Sequence, residues 1–491
     1  MTPETLPSKR SASISEGSSP TKRARSFSNP LKVGHVKLDI PVKTKNPQAC
    51  LGGVPEELLL NILQQLHDSP ATLGSLCRTD RRCNRVVEEV LYSDVSAHAY
   101  GKVRAMNGTP RLAWNVRSCT ADIIDDFRMA DYKKLIASSP NIRSLTLLDL
   151  SNPPRGYTEQ GMHLSIGWLP LFYAATSLSD SSYVNQFTHL RELTIAGDYF
   201  SIENLSVVFR LPSLQVLELN TVHQTKLFKY WNITDSSSSI QVLRLLDSMI
   251  DIAALTKIVS AMKALRSFTY IRSTIAWEPF GVEHNPFSCW PSHSWQLLGD
   301  ALRKHRNSLE TVLTWDTSDK EIVDIVYPDG YKPGTLGSFL DFPKLRHCGG
   351  QVEAFLDVSA GEDDLMLYLP PYLSRFDIHM SSDNSTSWDI HLTALASLRR
   401  MVGAGTGTTV QLTWDGDLPT RMVPLSNALA FLEQAGTKLC LDINERSMTV
   451  EKLKELEAGT DGKKTQVESA QEEQDNGDGY DQDDNSDQMS E

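Results

Sequence analysis

Apolar positions along the chain fall into two patterns that change at about residue 95. Between Cys50 and Val95 the spacing is helical: Leu58, Leu59, Ile62, Leu63 and Leu66 recur at i, i+1, i+4, i+5 and i+8 and predict one apolar stripe. Pro55 suits a first helical position, and Glu56 and Glu57 follow where the positive end of the helix dipole favours acids. A second start at Ser69-Pro70 leads into Leu73, Leu76 and Cys77. A third helix sets Cys83, Val86, Val87, Val90 and Leu91 on one face and ends near Tyr92. Three short helices make a marginal core, so their apolar faces need completing by the next domain or by a partner.

After residue 135 the pattern shortens to an apolar residue, two variable ones, another apolar, one variable, and a third apolar. It reads Ile142-Leu145-Leu147, Leu190-Leu193-Ile195, Leu214-Leu217-Leu219, Ile240-Leu243-Leu245 and Leu265-Phe268-Tyr270, with weaker copies starting at Leu309, Leu345 and Leu373. The alternation predicts a short strand with one buried face, and stretches such as Ile252 to Met262 have helical periodicity. From Leu190 to Leu265 the steps are 24, 26 and 25 residues; elsewhere steps of 48, 44 and 36 imply insertions around 151–189, 273–308 and 317–344. The middle insertion, from Trp277 to Trp295, is rich in Trp, Phe, His and Pro. It suits either a recognition loop or a segment packed over the repeat edge.

The helical segment resembles an F-box. The resemblance lies in Val54-Pro55-Glu56-Glu57-Leu58-Leu59, Ile62-Leu63, Leu66, the run Leu73 to Arg82, and the closing Leu91-Tyr92-Ser93-Asp94-Val95. Val54 stands where Leu is commoner, and Cys83 where a larger apolar residue is usual. The repeat period and its core resemble leucine-rich repeats. Together they are similar to the fungal-type F-box/leucine-rich-repeat family.

That resemblance implies an α/β chain: a three-helix F-box, then an irregular leucine-rich-repeat solenoid shaped as a horseshoe, with disordered termini. The expected segments are a basic tail at 1–47, the F-box at 48–96, a linker or capping segment at 97–135, the solenoid at 136–448 and an acidic tail at 449–491. It further implies docking on the small adaptor subunit of an SCF-type cullin–RING ubiquitin ligase, and on the cullin through it. Val54, Pro55, Leu58, Ile62, Leu66 and Leu76 would form or support that contact. The repeats would recruit a protein target for ubiquitination. The alternative is a repeat-type interaction scaffold with no role in ubiquitination.

Charge adds two features. Residues 1–50 hold nine Lys/Arg against three Asp/Glu, in a Ser/Pro-rich stretch too poor in large apolar residues to fold alone. Its clusters Lys9-Arg10 and Lys22-Arg23-Ala24-Arg25, eleven residues apart, resemble a bipartite nuclear-import signal and imply an importin as partner. From Gln466 to Glu491 there are ten acids and no base, within a net charge of −13. Nuclear and/or cytoplasmic residence is the expectation.

The remaining chemistry is sparse. Seven scattered cysteines show no C-x-x-C pair, which fits a reduced intracellular protein with mostly buried thiols. Gly403-Ala404-Gly405-Thr406-Gly407 fits neither G-x-G-x-x-G nor a P-loop. Cys289 and His293 lack a third orienting group. Trp-Asp pairs at Trp315, Trp388 and Trp414 miss a propeller period. No apolar run is long enough for a membrane span, and no cluster of phosphate-reading arginines stands out along the chain. The expectation is therefore a non-enzymatic adaptor without cofactor or metal, binding neither nucleic acid nor membrane.

Overall fold

The computed structural model describes residues 53–123, 126–149, 168–176, 187–224, 231–273, 291–317, 334–356, 368–370, 372–381, 409–415, 429–430, 432–434, 438–443 and 446–455. The described residues from Val54 onward belong to one compact unit. The import clusters at Lys9, Arg10, Lys22, Arg23 and Arg25, and the acidic stretch from Gln466, lie outside the described residues.

Three helices come first: α1 (Glu56–Gln64), α2 (Pro70–Leu76) and α3 (Arg81–Leu91). Chain order then runs β1 (Asp94–Val95), α4 (Tyr100–Gly108), α5 (Pro110–Ala113), β2 (Ser118–Ile123), α6 (Asp126–Ala137), β3 (Ser144–Asp149) and α7 (Leu169–Thr176). Next come β4 (Glu192–Phe200), a 3-10 helix (Ile202–Arg210), β5 (Val216–Gln224), β6 (Val242–Ile250), α8 (Ile252–Ala261) and β7 (Ser267–Arg272). The chain continues through α9 (Trp295–Arg303), β8 (Thr311–Asp316), β9 (His347–Gln351), β10 (Arg375–Ser381), β11 (Thr409–Asp415), β12 (Lys438–Ile443) and β13 (Arg446–Met448).

Among the described residues, thirteen strands belong to one open sheet whose spatial order is their order in the chain. Every pair is parallel except β12 with β13, which is antiparallel. A parallel neighbour requires the chain to return to the same end of the sheet before each strand. Here helices make several of those returns, such as α8 between β6 and β7 and α9 between β7 and β8. This mixed α/β architecture is compatible with a solenoid.

The register explains the motif. Leu145, Leu193, Leu217, Leu243, Phe268, Val312 and Cys348 are lateral partners on successive strands. All are buried in one continuous core, with Ile252, Leu255, Ile258 and Val259 of α8 packed into it. The alternate residues face the other way and form the open side of the sheet.

Some boundaries differ from expectation. The sheet begins at Asp94, so the segment 97–135, expected as a linker or capping segment, contributes α4, α5 and β2, and the expected boundary at 136 falls inside α6. β2 follows the same motif as Val116-Cys119-Ala121, disguised by its two small residues. Val450 and Leu453, within the segment expected as an acidic tail from 449, are buried in the core. Gly349 has a steric role: a Cβ there would come within 2.7 Å of Asp377 Cβ and 2.8 Å of its carbonyl oxygen.

Candidate functional site

The helical module starts where the sequence places its signals. Pro55 stands at the N-cap of α1, and its carbonyl accepts the Leu59 N–H at 2.9 Å. Pro70 occupies the first turn of α2 after Ser69. Asp80 caps α3, its Oδ1 accepting the Cys83 N–H at 2.7 Å. That hydrogen bond holds the Asp80 carboxyl below its ordinary range. The Arg82 guanidinium donates to the Val54 carbonyl, and Arg85 pairs with Glu56, so the start of α3 is tied to the start of α1.

Seven side chains form a core of their own: Leu59, Leu63, Leu73, Cys83, Val86, Val87 and Val90. The apolar stripe of α1 is therefore split by the helix's 100° step. Leu59 and Leu63 turn inward, whereas Leu58 and Ile62, four residues apart, remain 54% and 46% exposed. Pro55 is exposed on the preceding turn. Val54, Leu66 and Leu76 are partly buried and pack against the small core, which makes them supports for the α1 face. Of the six predicted docking residues, the fold thus presents Pro55, Leu58 and Ile62 outward and uses the other three beneath.

The module is fixed to the sheet by a short junction. Glu88 of α3 receives a two-pronged ion pair from Arg111 of α5, at 2.5 and 2.9 Å. That contact keeps the Glu88 carboxyl below its usual range. Lys102 Nζ donates to the Leu91 carbonyl at 3.2 Å. The Ser93 carbonyl accepts both the Arg117 and the Ser118 N–H, at 2.8 and 3.0 Å. Tyr92 packs into the main core while Leu91 packs into the small one, so adjacent residues belong to the two cores.

The open face of the sheet is the second candidate surface. Across β6, β7 and β8, Leu246, Ile271, Leu313 and Trp315 are half-buried on that face. Further along, Asp377 on β10 binds His347 Nε2 and Arg375 Nε, both at 2.7 Å. Burial alone would raise the Asp377 carboxyl, but these two partners hold it below its ordinary value. The aromatic insertion is described only from 291 onward; there half-buried His293 meets buried Trp295 edge to face, 4.2 Å between ring centroids.

Cys119 and Cys348 are buried, and burial raises both thiols, Cys119 to about 12, far from thiolate reactivity. Burial lowers His293 to about 3, with Arg272 adding to the shift. Among the described residues no group of His, Cys, Asp or Glu is arranged to hold a metal ion. Likewise none of the described helices is long and apolar enough to cross a membrane. No family model matches the chain, and no curated protein matches it.

Proposed function

We propose that this chain is the substrate-recognition adaptor of an SCF-type cullin–RING ubiquitin ligase. The helical module acts as an F-box that docks on the small adaptor subunit and, through it, on the cullin. The sheet acts as a leucine-rich-repeat scaffold that holds a protein target. The chain supplies no bond-making group; its contribution is the local concentration and orientation of the target. An importin that reads the two basic clusters would add a nuclear pool.

The observation that carries this reading is the exposed pair Leu58 and Ile62 beside Pro55, on a module with its own closed core. Exposed large apolar side chains spaced on one helix face are costly to leave in water and favour a partner. The module does not need them for its own packing.

The test is co-purification with the adaptor subunit. Pro55→Ala combined with Leu58→Ala should abolish it while the far-ultraviolet dichroism and melting stay unchanged. Retained binding in that variant would exclude this docking surface. Wild-type protein that captures no adaptor would leave the scaffold reading. Accumulation of a bound target after depletion of the chain would separately support turnover.

A further inference from the structure

The junction between the helical module and the sheet holds a hydroxyl that the fold leaves unused. Thr109 closes α4 and opens α5: its N–H donates to the Met106 carbonyl at 3.0 Å, and its carbonyl accepts the Leu112 N–H at 2.9 Å. Threonine at a helix start ordinarily caps the helix with its side chain. Here, among the described residues, the hydroxyl makes no such bond. The backbone has φ −137° and ψ 79°, because Pro110 follows and disfavours a helical predecessor. Both Thr109 and Pro110 are exposed.

Five hydroxyl–proline pairs occur in the chain, starting at Thr2, Ser19, Ser69, Thr109 and Ser139. The last three fall among the described residues, and of these only Thr109 is exposed. Ser69 is half-buried. Ser139 is 2% exposed, and its Oγ donates to the Leu135 carbonyl at 2.7 Å. Two residues beyond Thr109, Arg111 makes the two-pronged pair with Glu88 that ties α5 to α3. The Arg111 side chain is 66% exposed and can swing, whereas Glu88 is 14% exposed and has Asn84 as a second donor at 3.2 Å.

We propose that Thr109 is a phosphorylation site for a proline-directed protein kinase, and that its phosphate draws Arg111 away from Glu88. In the transfer, Thr109 Oγ1 bonds to the γ-phosphorus of ATP as the bond to the β,γ-bridging oxygen breaks. ADP leaves, and the hydroxyl proton passes to the kinase's base. The product carries about −1.5 to −2 charge and three strong acceptor oxygens beside a guanidinium that now serves one carboxylate. A dianion on the neighbouring side chain competes for that guanidinium better than a carboxylate does, and it repels Glu88 as well. The charged tie from α5 to α3 is thereby released, while the hydrogen bonds to the Leu91 and Ser93 carbonyls remain. The result is a looser helical module on an intact sheet, whatever docks on α1.

The test incubates the purified full chain with a cyclin-dependent kinase and ATP, maps phosphate by mass spectrometry, and follows hydrogen exchange in α3 and α5. Phosphate should appear on Thr109 and not on Ser139. Treatment should speed exchange at the α5 and late α3 amides about threefold to fivefold, the scale of an exposed ion pair. Thr109→Ala should show the same rate with and without kinase, which separates Thr109 from Ser69 and the two sites nearer the N-terminus. Arg111→Ala should be as fast as the treated wild type before any kinase is added, and phosphorylating it should change nothing further. If Arg111→Ala lowers the melting temperature of the whole chain, Arg111→Gln takes its place. A Thr109 left unmodified overturns the proposal. So does a phosphorylated chain with unchanged or slower exchange, or an equal acceleration in the arginine variant. None of these readouts involves the adaptor subunit, so the docking reading and this one can fail separately.

Discussion

Replacing Leu58 and Ile62 together by alanine separates docking from folding, because both side chains project from the module. Burying a Leu or Ile side chain completely is worth about 1.5–3 kcal/mol. These two are already covered over roughly half their surface, being 54% and 46% exposed. The proposed docking would therefore add about 0.8–1.5 kcal/mol for each, or about 1.6–3 kcal/mol for the pair. That converts to a Kd weakened by about 15- to 150-fold. The cost to the fold should stay within about 0.5 kcal/mol, as for other surface changes. Leu59→Ala with Leu63→Ala is the opposite case: each deletion within the small core costs about 2–5 kcal/mol. That variant should lose adaptor binding by unfolding the module. The assay is calorimetric titration of the full chain with the purified adaptor subunit, alongside thermal melting followed by circular dichroism. A Kd change below about threefold for Leu58→Ala/Ile62→Ala would refute the assignment of this face. So would a melting loss matching that of the core pair.

Two further outcomes concern the sheet. Arg272 and Asp316 form an ion pair at 2.7 Å, with side chains only 1% and 7% exposed; Asp316→Ala removes the countercharge of a buried cation and should cost about 3–5 kcal/mol in chemical denaturation. Asp300→Ala, at the exposed Arg303 pair, should cost no more than about 1 kcal/mol; equal effects would contradict the burial argument. The second outcome is acid lability: burial lowers His223 to about 4 and His293 to about 3, from an ordinary 6.5. Below pH 6.5 the unfolded chain takes up protons that the folded chain refuses, so stability present above that pH is lost as pH falls toward 4 and 3. A denaturation midpoint that stays flat across this window would show that these rings are not sheltered from water.

Helix and strand positions were legible wherever large apolar residues marked the buried face. The motifs at Ile142, Leu190, Leu214, Ile240 and Leu265 all became inward-facing strand starts, and the weaker ones at Leu309, Leu345 and Leu373 did as well. β2 escaped because Cys119 and Ala121 fill the same positions with less apolar surface. β11 escaped although Val410, Leu412 and Trp414 alternate clearly, since Gly407 stands in the sequence where the motif's first apolar residue would fall. At the helical module, the sequence marked Leu58, Leu59, Ile62 and Leu63 as one stripe. Only the packing of α2 and α3 decided that Leu59 and Leu63 turn in while Leu58 and Ile62 stay out.

By itself the sequence determined the local elements and their repeat. Backbone periodicity and the burial of apolar side chains are local properties that the order of residues already contains. The tertiary structure decided which residues become neighbours across strands. Arg117, Arg143 and Arg191 are separated by 26 and 48 residues and read as isolated surface charges. Parallel pairing sets them on adjacent rungs, because every return brings the chain back to the same end of the sheet. A surface built at that end depends on register and on insertion lengths, and neither is written in any single stretch of the chain.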